Sequence, residues 1–270
     1  MTTKYTYGGC ELIYTITNDN KAIVFPNTLQ QINQAAFDLA EATFNTNLPE
    51  SVTFIGRLAL ASNHIQRIKV GKNVRIICSG AFGYSRSDGV IEVDEGNPFF
   101  CIDGFGVLFD ASKTRLIHVP TYITNYKIPP SVLFIDYSSF SETKINELII
   151  PANVKTIGSE AFSWMPNLKK IIIQGNFDTY LNGFGKIFAG SRALTGVYYS
   201  GIKVLEGDQF DISDIKAHVC FGYKGTTFGG LNIIVQNECL AYPIVQFTCK
   251  NSFSAVINRI MLISVLVFIK

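Results

Sequence analysis

The chain has 270 residues, 47% of them hydrophobic and 16% charged, a balance that excludes a disordered polymer and leaves enough apolar material for a sizeable core. Its 23 basic and 21 acidic residues give a formal charge of +2. With no run of Lys and Arg anywhere, it lacks the electrostatic footprint of a nucleic-acid binder, and no such partner is expected.

Residues 1–24 open with "MTTKYTYGGCELIYT" and read as an N-terminal cap, with no apolar stretch of the kind that makes a cleavable signal peptide. At Phe25 a pattern begins that recurs along the chain. An apolar residue at position zero is followed by others at +4 and +7, a small residue at +11 and a large apolar one at +12. The columns are Phe25, Leu29, Ile32, Ala36 and Phe37, then Leu48, Val52, Ile55, Ala59 and Leu60. The third copy holds Val70, Val74, Ile77, Ala81 and Phe82. Two more hold Ile128, Val132, Ile135, Ser139 and Phe140, and Ile150, Val154, Ile157, Ala161 and Phe162. Successive starts are 23, 22, 58 and 22 residues apart.

The long step between the third and fourth copies contains "FFCIDGFGVLFDASKTRLIHVP", apolar runs broken by turn residues. It reads as a β-hairpin inserted over about 99–119. Within it Ile117 and Val119 take the places that Ile68 and Val70 hold in "HIQRIKVG". After Ile173 the repeat degenerates. "GFGKIFAG" from Gly183 to Gly190 has glycines but neither the spacing nor the surrounding unit of a phosphate loop, and reads as an irregular coil.

Each unit has a simple physical logic. The residues before position zero alternate, as in Leu168, Ile171 and Ile173, which is a strand with one face inward. Gly56 and Gly158 at +8 suit a sharp change of direction. The window carrying Ala-Phe is expected to be a helix of one or two turns, the alanine allowing close approach and the phenylalanine filling the interior. A unit this short cannot bury its own apolar face, whereas stacked units can. The expected fold is therefore an α/β solenoid over 25–235, with a parallel β-sheet on one side and short helices or turns on the other.

Alternation also assigns an outward strand face: Arg67 and Lys69, Val90 and Glu92, Leu116 and His118, Glu147 and Ile149, Lys170 and Ile172, and Tyr198. The face is mixed and rather apolar, with Ile149 beside Ile172. Either β-branched residues are there because they suit strands, or an apolar patch rimmed by charge marks a partner-binding surface.

Little points to an enzyme. Cys101 and His118 are the nearest Cys/His pair, and no carboxylate stands at a spacing that would orient the imidazole. No zinc-binding or acidic metal loop occurs, and no cofactor is expected. Of Cys10, Cys78, Cys101, Cys220, Cys239 and Cys249, none forms a C-x-x-C pair. They read as buried or free thiols, and the one disulfide to test is Cys239–Cys249.

Residues 236–252 form a connector to a hydrophobic segment over 253–270. The run Ile260–Ile269 is broken only by Ser264, and Asn258 and Arg259 precede it. A full membrane span needs about 20 apolar residues, and an arginine near its centre costs about 3 kcal/mol. Three readings stay open: a membrane anchor through 253–269, an element covering the solenoid's end, and a lipid-anchor signal that is removed. No Asn-x-Ser/Thr sequon occurs in the chain.

With these residues in view, the sequence resembles the BspA-like leucine-rich repeat family. Its units run as LP-x-x-V-x-x-IG-x-x-AF-x-x-C-x-x-L-x-x-I-x-IP. "IPANVKTIGSEAFSWMPNLKKIIIQ" is similar throughout, with Met165 or a neighbour near the cysteine column. The inserted hairpin, and "TFGGLNIIV" from Thr227, resemble further segments of that family. The likeness covers about residues 20–235 and departs in the first copy, which lacks Ile-Gly. It implies a non-catalytic protein, surface-displayed and often membrane-associated through a C-terminal segment, that binds a protein or glycan in adhesion to host cells or matrix. The alternative is a cytoplasmic scaffold of the same fold.

Overall fold

The computed structural model describes residues 2–7, 10–16, 23–37, 43–85, 89–180 and 185–237. The connector beyond 237 and the hydrophobic segment 253–270, with every reading attached to them, lie outside the described residues, as do Cys239 and Cys249.

The described chain is a stack of β-coils. β1 (Thr2–Tyr7), β2 (Cys10–Ile16) and β3 (Ile23–Val24) form an antiparallel sheet that opens the stack. Each regular coil then gives one short strand at columns +6 and +7 and one longer strand that runs up to the next position zero. In the first three coils the short strands are β4 (Gln31–Ile32), β6 (Phe54–Ile55) and β8 (Ile76–Ile77), paired in parallel. The long ones are β5 (Thr43–Asn47), β7 (His64–Val70) and β9 (Val90–Val93), also parallel.

β10 (Phe100–Ile102), β11 (Leu108–Asp110) and β12 (Arg115–His118) follow as an antiparallel meander. β12 then pairs in parallel with the short strand β13 (Phe134–Ile135). Beyond it the long strands are β14 (Glu147–Ile150), β16 (Lys170–Ile173), β18 (Gly196–Tyr199), β19 (Lys216–Cys220) and β21 (Leu231–Gln236). The short ones are β15 (Thr156–Gly158) and β17 (Asp178–Tyr180), and β20 (Thr227–Phe228) closes the long-strand sheet as an antiparallel edge.

Every residue of the five-column pattern is buried except Ala36, which is partly buried. The phenylalanines at +12 form a ladder along the stack. Ring centroids are 5.2 Å apart for Phe140 and Phe162 and 5.3 Å for Phe162 and Phe188. Phe188 and Phe210 then stack at 4.5 Å, carrying the ladder into the degenerate region. The meander is the wall between two core segments. Phe100, Leu108 and Ile117 pack into the first, while Val107, Phe109, Leu116 and Val119 pack into the second, as alternation on a pleated strand requires.

One expectation is corrected. The Ala-Phe windows are not helices, and among the described residues no helix occurs at all. Column +10 is left-handed in all five copies: Ala35 (φ 54°), Leu58 (55°), Gly80 (74°), Ser138 (56°) and Glu160 (56°). Column +14 is left-handed as well at Ser62, Tyr84, Glu142 and Trp164. The flips aim alternate amides at the next coil instead of at a carbonyl four residues back. Phe140 N donates to Ala161 O (2.9 Å), Glu142 N to Ser163 O (3.2 Å) and Trp164 N to Ala189 O (2.7 Å). The turns thus satisfy their backbone between coils, as a sheet does.

Gly158 is needed for approach, not for a positive φ. A Cβ there would lie 2.5 Å from Tyr137 N of the preceding coil. At the same column in the fourth copy the neighbour is β12, and Asp136 fits because Arg115 grips both its oxygens at 2.9 and 2.6 Å.

Candidate partner-binding face

The second long-strand sheet places one residue from each of five parallel strands in a single row. The registers run Ile149 to Ile172, Ile172 to Tyr198, Tyr198 to His218, and His218 to Ile234. The alternate residues Leu148, Ile171, Val197 and Ala217 are buried in the core, so the row lies on the outward face. Ile149 and Ile234 at its ends are each 40% exposed. Tyr198 and His218 stack with ring centroids 4.8 Å apart and planes 16° apart.

A polar row runs beside it. Lys170 Nζ lies 5.5 Å from the centre of the Tyr198 ring and 3.0 Å from Glu147 Oε1. The tyrosine leans over Gly196, where a Cβ would meet its Cε2 at 2.9 Å. The Gln236 amide donates to His218 Nδ1 at 2.7 Å.

The first long-strand sheet presents a different surface. Arg67 meets Glu92 through two contacts, at 2.9 and 2.6 Å, and also donates to Asn47 Oδ1 at 2.8 Å. Lys69 pairs with Asp94 at 2.8 Å. These hydrogen bonds hold the carboxyls of Glu92 and Asp94 below their usual values. The predicted residues Arg67, Lys69 and Glu92 are therefore outward but engaged with one another.

Two predicted positions are corrected. Leu116 and His118 are buried and do not belong to this face. β12 lies in the short-strand sheet beside β13, because the meander turns the chain before it can join the long strands. The His118 ring packs against Phe82 at 5.9 Å between centroids, and burial alone lowers its pKa to about 4. Ile172 does stand in the outward row but is fully covered between Ile149 and Tyr198. Ile149, Glu147, Lys170 and Tyr198 are where alternation placed them.

Cys101 and His118 are not brought together. β11 separates their strands, so they stand two strand spacings apart, about 10 Å. The Cys101 thiol donates to Asp110 O at 3.4 Å, and burial raises its pKa, away from a nucleophilic thiolate. Cys78 is also a free thiol, whereas Cys220 is disulfide-bonded, contrary to its reading as a thiol.

His218, Ile234 and Gln236 escaped the sequence reading. The column pattern fades after Ile173, and only Leu194, Val197 and Tyr199 still match the spacing of Leu168, Ile171 and Ile173. A period-two search through "KAHVC" and "LNIIV" would have found these strands.

The family model described as BspA type leucine rich repeat region matches residues 12–95 and 119–216 in six copies. Among solved structures, a leucine-rich repeat protein from Eubacterium ventriosum is similar with a TM-score of 0.55 at 20% identity, covering 77% of this chain and 58% of that one. This chain thus spans well under two thirds of that protein. One from Bacteroides ovatus gives 0.42 at 15% identity, covering 78% and 67%. The pneumococcal vaccine antigen PcpA gives 0.39 at 20% identity, covering 78% and 72%. At these identities the first likeness speaks to fold alone. A comparison with curated proteins gives no significant match.

Proposed function

The chain belongs to the BspA-type leucine-rich repeat family, and from that premise we propose that it is a non-catalytic, surface-displayed binding protein that takes a protein partner on its second long-strand sheet. The observation that carries the reading is the in-register row of Ile149, Ile172, Tyr198, His218 and Ile234. An apolar and aromatic centre with a charged margin is the composition of a protein interface core. The preformed hydrogen bonds and the stacked pair hold that surface in one conformation, which lowers the entropy lost on binding.

Adhesion to host cells or matrix is the role such a surface would serve. Attachment through 253–269 belongs to the same proposal. Among the described residues no helix is long and apolar enough to cross a membrane. Fractionation of cells making the full chain or residues 1–250 tests the anchor, and labelling of intact cells tests display. Affinity capture compared between the native chain and an Ile149→Glu/Ile234→Glu variant tests the face. A protein captured equally by both would defeat that assignment.

A further inference from the structure

The inward column of the second long-strand sheet ends uncovered. Its registers run from Ile150 to Ile173, Tyr199, Val219 and Val235. The first four are at most 2% exposed, whereas Val235 is 49% exposed. The sheet edge beside it is open as well. β20 meets β21 only at Leu231 and Asn232, so among the described residues Ile233 to Gln236 pair on one side alone, with β19. Residues 231–237 include no charge and no proline, the usual guards of a sheet edge. Phe221, one residue past the Cys220 that pairs with Gln236, adds a side chain 77% exposed at the same end.

The backbone directions on this edge follow from the hairpin. Gly229 and Gly230, at φ 56° and 90°, form a two-residue turn flanked by Phe228 and Leu231. The pair that flanks such a turn exchanges both main-chain hydrogen bonds, so Leu231 turns its N–H and C=O towards β20. Alternation then aims those of Ile233, Val235 and Asn237 at the open edge, and those of Asn232, Ile234 and Gln236 at β19. β16 obeys the same rule, its Lys170 amide and that of Gln174 just beyond it donating back to Asn146 O and Ile150 O. A twofold axis at Val235 brings this edge against itself in antiparallel register. Val235 then faces Val235 of the partner subunit, and Ile233 faces Asn237 of the partner subunit. Both are pairs whose main-chain groups already point across the edge. Inward side chains meet inward ones, so the two valines cover each other, and no like charges are opposed.

We propose that a second copy of this chain docks on the open edge of β21, giving a twofold dimer with one continuous sheet. Sedimentation equilibrium of the full chain from low to high micromolar concentration, with hydrogen exchange at residues 233, 235 and 237, tests it. The expected result is a reversible dimer in which protection of those amides rises with concentration. Val235→Lys places two ammonium groups face to face at the axis and should weaken dimerisation about tenfold or more, with the circular dichroism spectrum unchanged. Val235→Ile should keep the dimer. A monomer at every concentration would overturn the proposal, as would an undiminished dimer of a folded Val235→Lys chain. Protection independent of concentration in a monomer would also overturn it, and would show the edge covered within one chain. Val235 faces inward, off the partner row, so the sheet-face reading is tested separately by the Ile149→Glu/Ile234→Glu variant.

Discussion

Tyr198 and His218 stand side by side on neighbouring parallel strands with their rings stacked 4.8 Å apart. Ile172 is sealed on one side of this pair and Ile234 lies open on the other. The row therefore contains both packing and display, and substitutions separate them. Ile172→Ala removes a fully buried side chain and should lower stability by about 2 kcal/mol or more. Ile149→Ala, at a half-open end of the row, should cost under about 1 kcal/mol while weakening partner binding. Chemical denaturation of the two variants checks this, and equal losses would show that Ile149 is core as well.

The fourth copy carries Ser139 where four others carry alanine at +11. Its hydroxyl is buried without a hydrogen-bond partner. An orphaned buried hydroxyl costs about 1–3 kcal/mol, so Ser139→Ala should raise the melting temperature, with a gain of about 1 kcal/mol in denaturant titration. A loss of stability would mean that the hydroxyl has a partner in solution.

Much of this architecture was legible in the sequence. The columns of Ile150, Val154, Ile157 and Phe162 announced buried positions because each coil must fill the same interior. The left-handed turns were not legible, since Leu58, Ser138 and Glu160 carry no sign of a positive φ; it is imposed by hydrogen bonds to the next coil. The outward face was legible where strands alternate in register with their neighbours, at Arg67, Ile149 and Lys170. It failed at His118, where the meander moves a similar-looking strand into the other sheet. A further regularity went unread. Ser51, Asn73, Ser131 and Asn153 occupy +3, and each side chain donates to carbonyls of the preceding coil or turn, as Asn153 does to Pro130 O and Val132 O.

His118 gives the fold a predictable acid sensitivity. Burial holds its folded-state pKa near 4, against 6.5 for an exposed imidazole. The unfolded chain therefore takes up a proton that the folded chain refuses. The stability this neutral histidine preserves is complete above pH 6.5 and is lost as the pH falls towards 4, by an amount on the order of 3 kcal/mol. His118→Phe should flatten stability over that range. The difference between the two proteins isolates His118 from Asp136 and Glu160, whose carboxyls burial raises. Parallel curves would place His118 in contact with water.

Lys113 is held left-handed at φ 55° in the turn between β11 and β12. A non-glycine residue there carries strain of about 1 kcal/mol. Lys113→Gly should relieve it with a net gain of about 0.5 kcal/mol, since glycine also loosens the unfolded chain. Thermal melts decide the sign, and a clear loss would show that the lysine side chain stabilises the turn.

The most direct test of the binding face is site-specific photo-crosslinking on intact cells or host extracts. A benzophenone side chain is placed in turn at position 149, at 234, and at 76 on the short-strand sheet, where Ile76 is 52% exposed. The expected result is one protein partner captured from both 149 and 234 and absent from 76. Capture from 76 with nothing from 149 or 234 would contradict it.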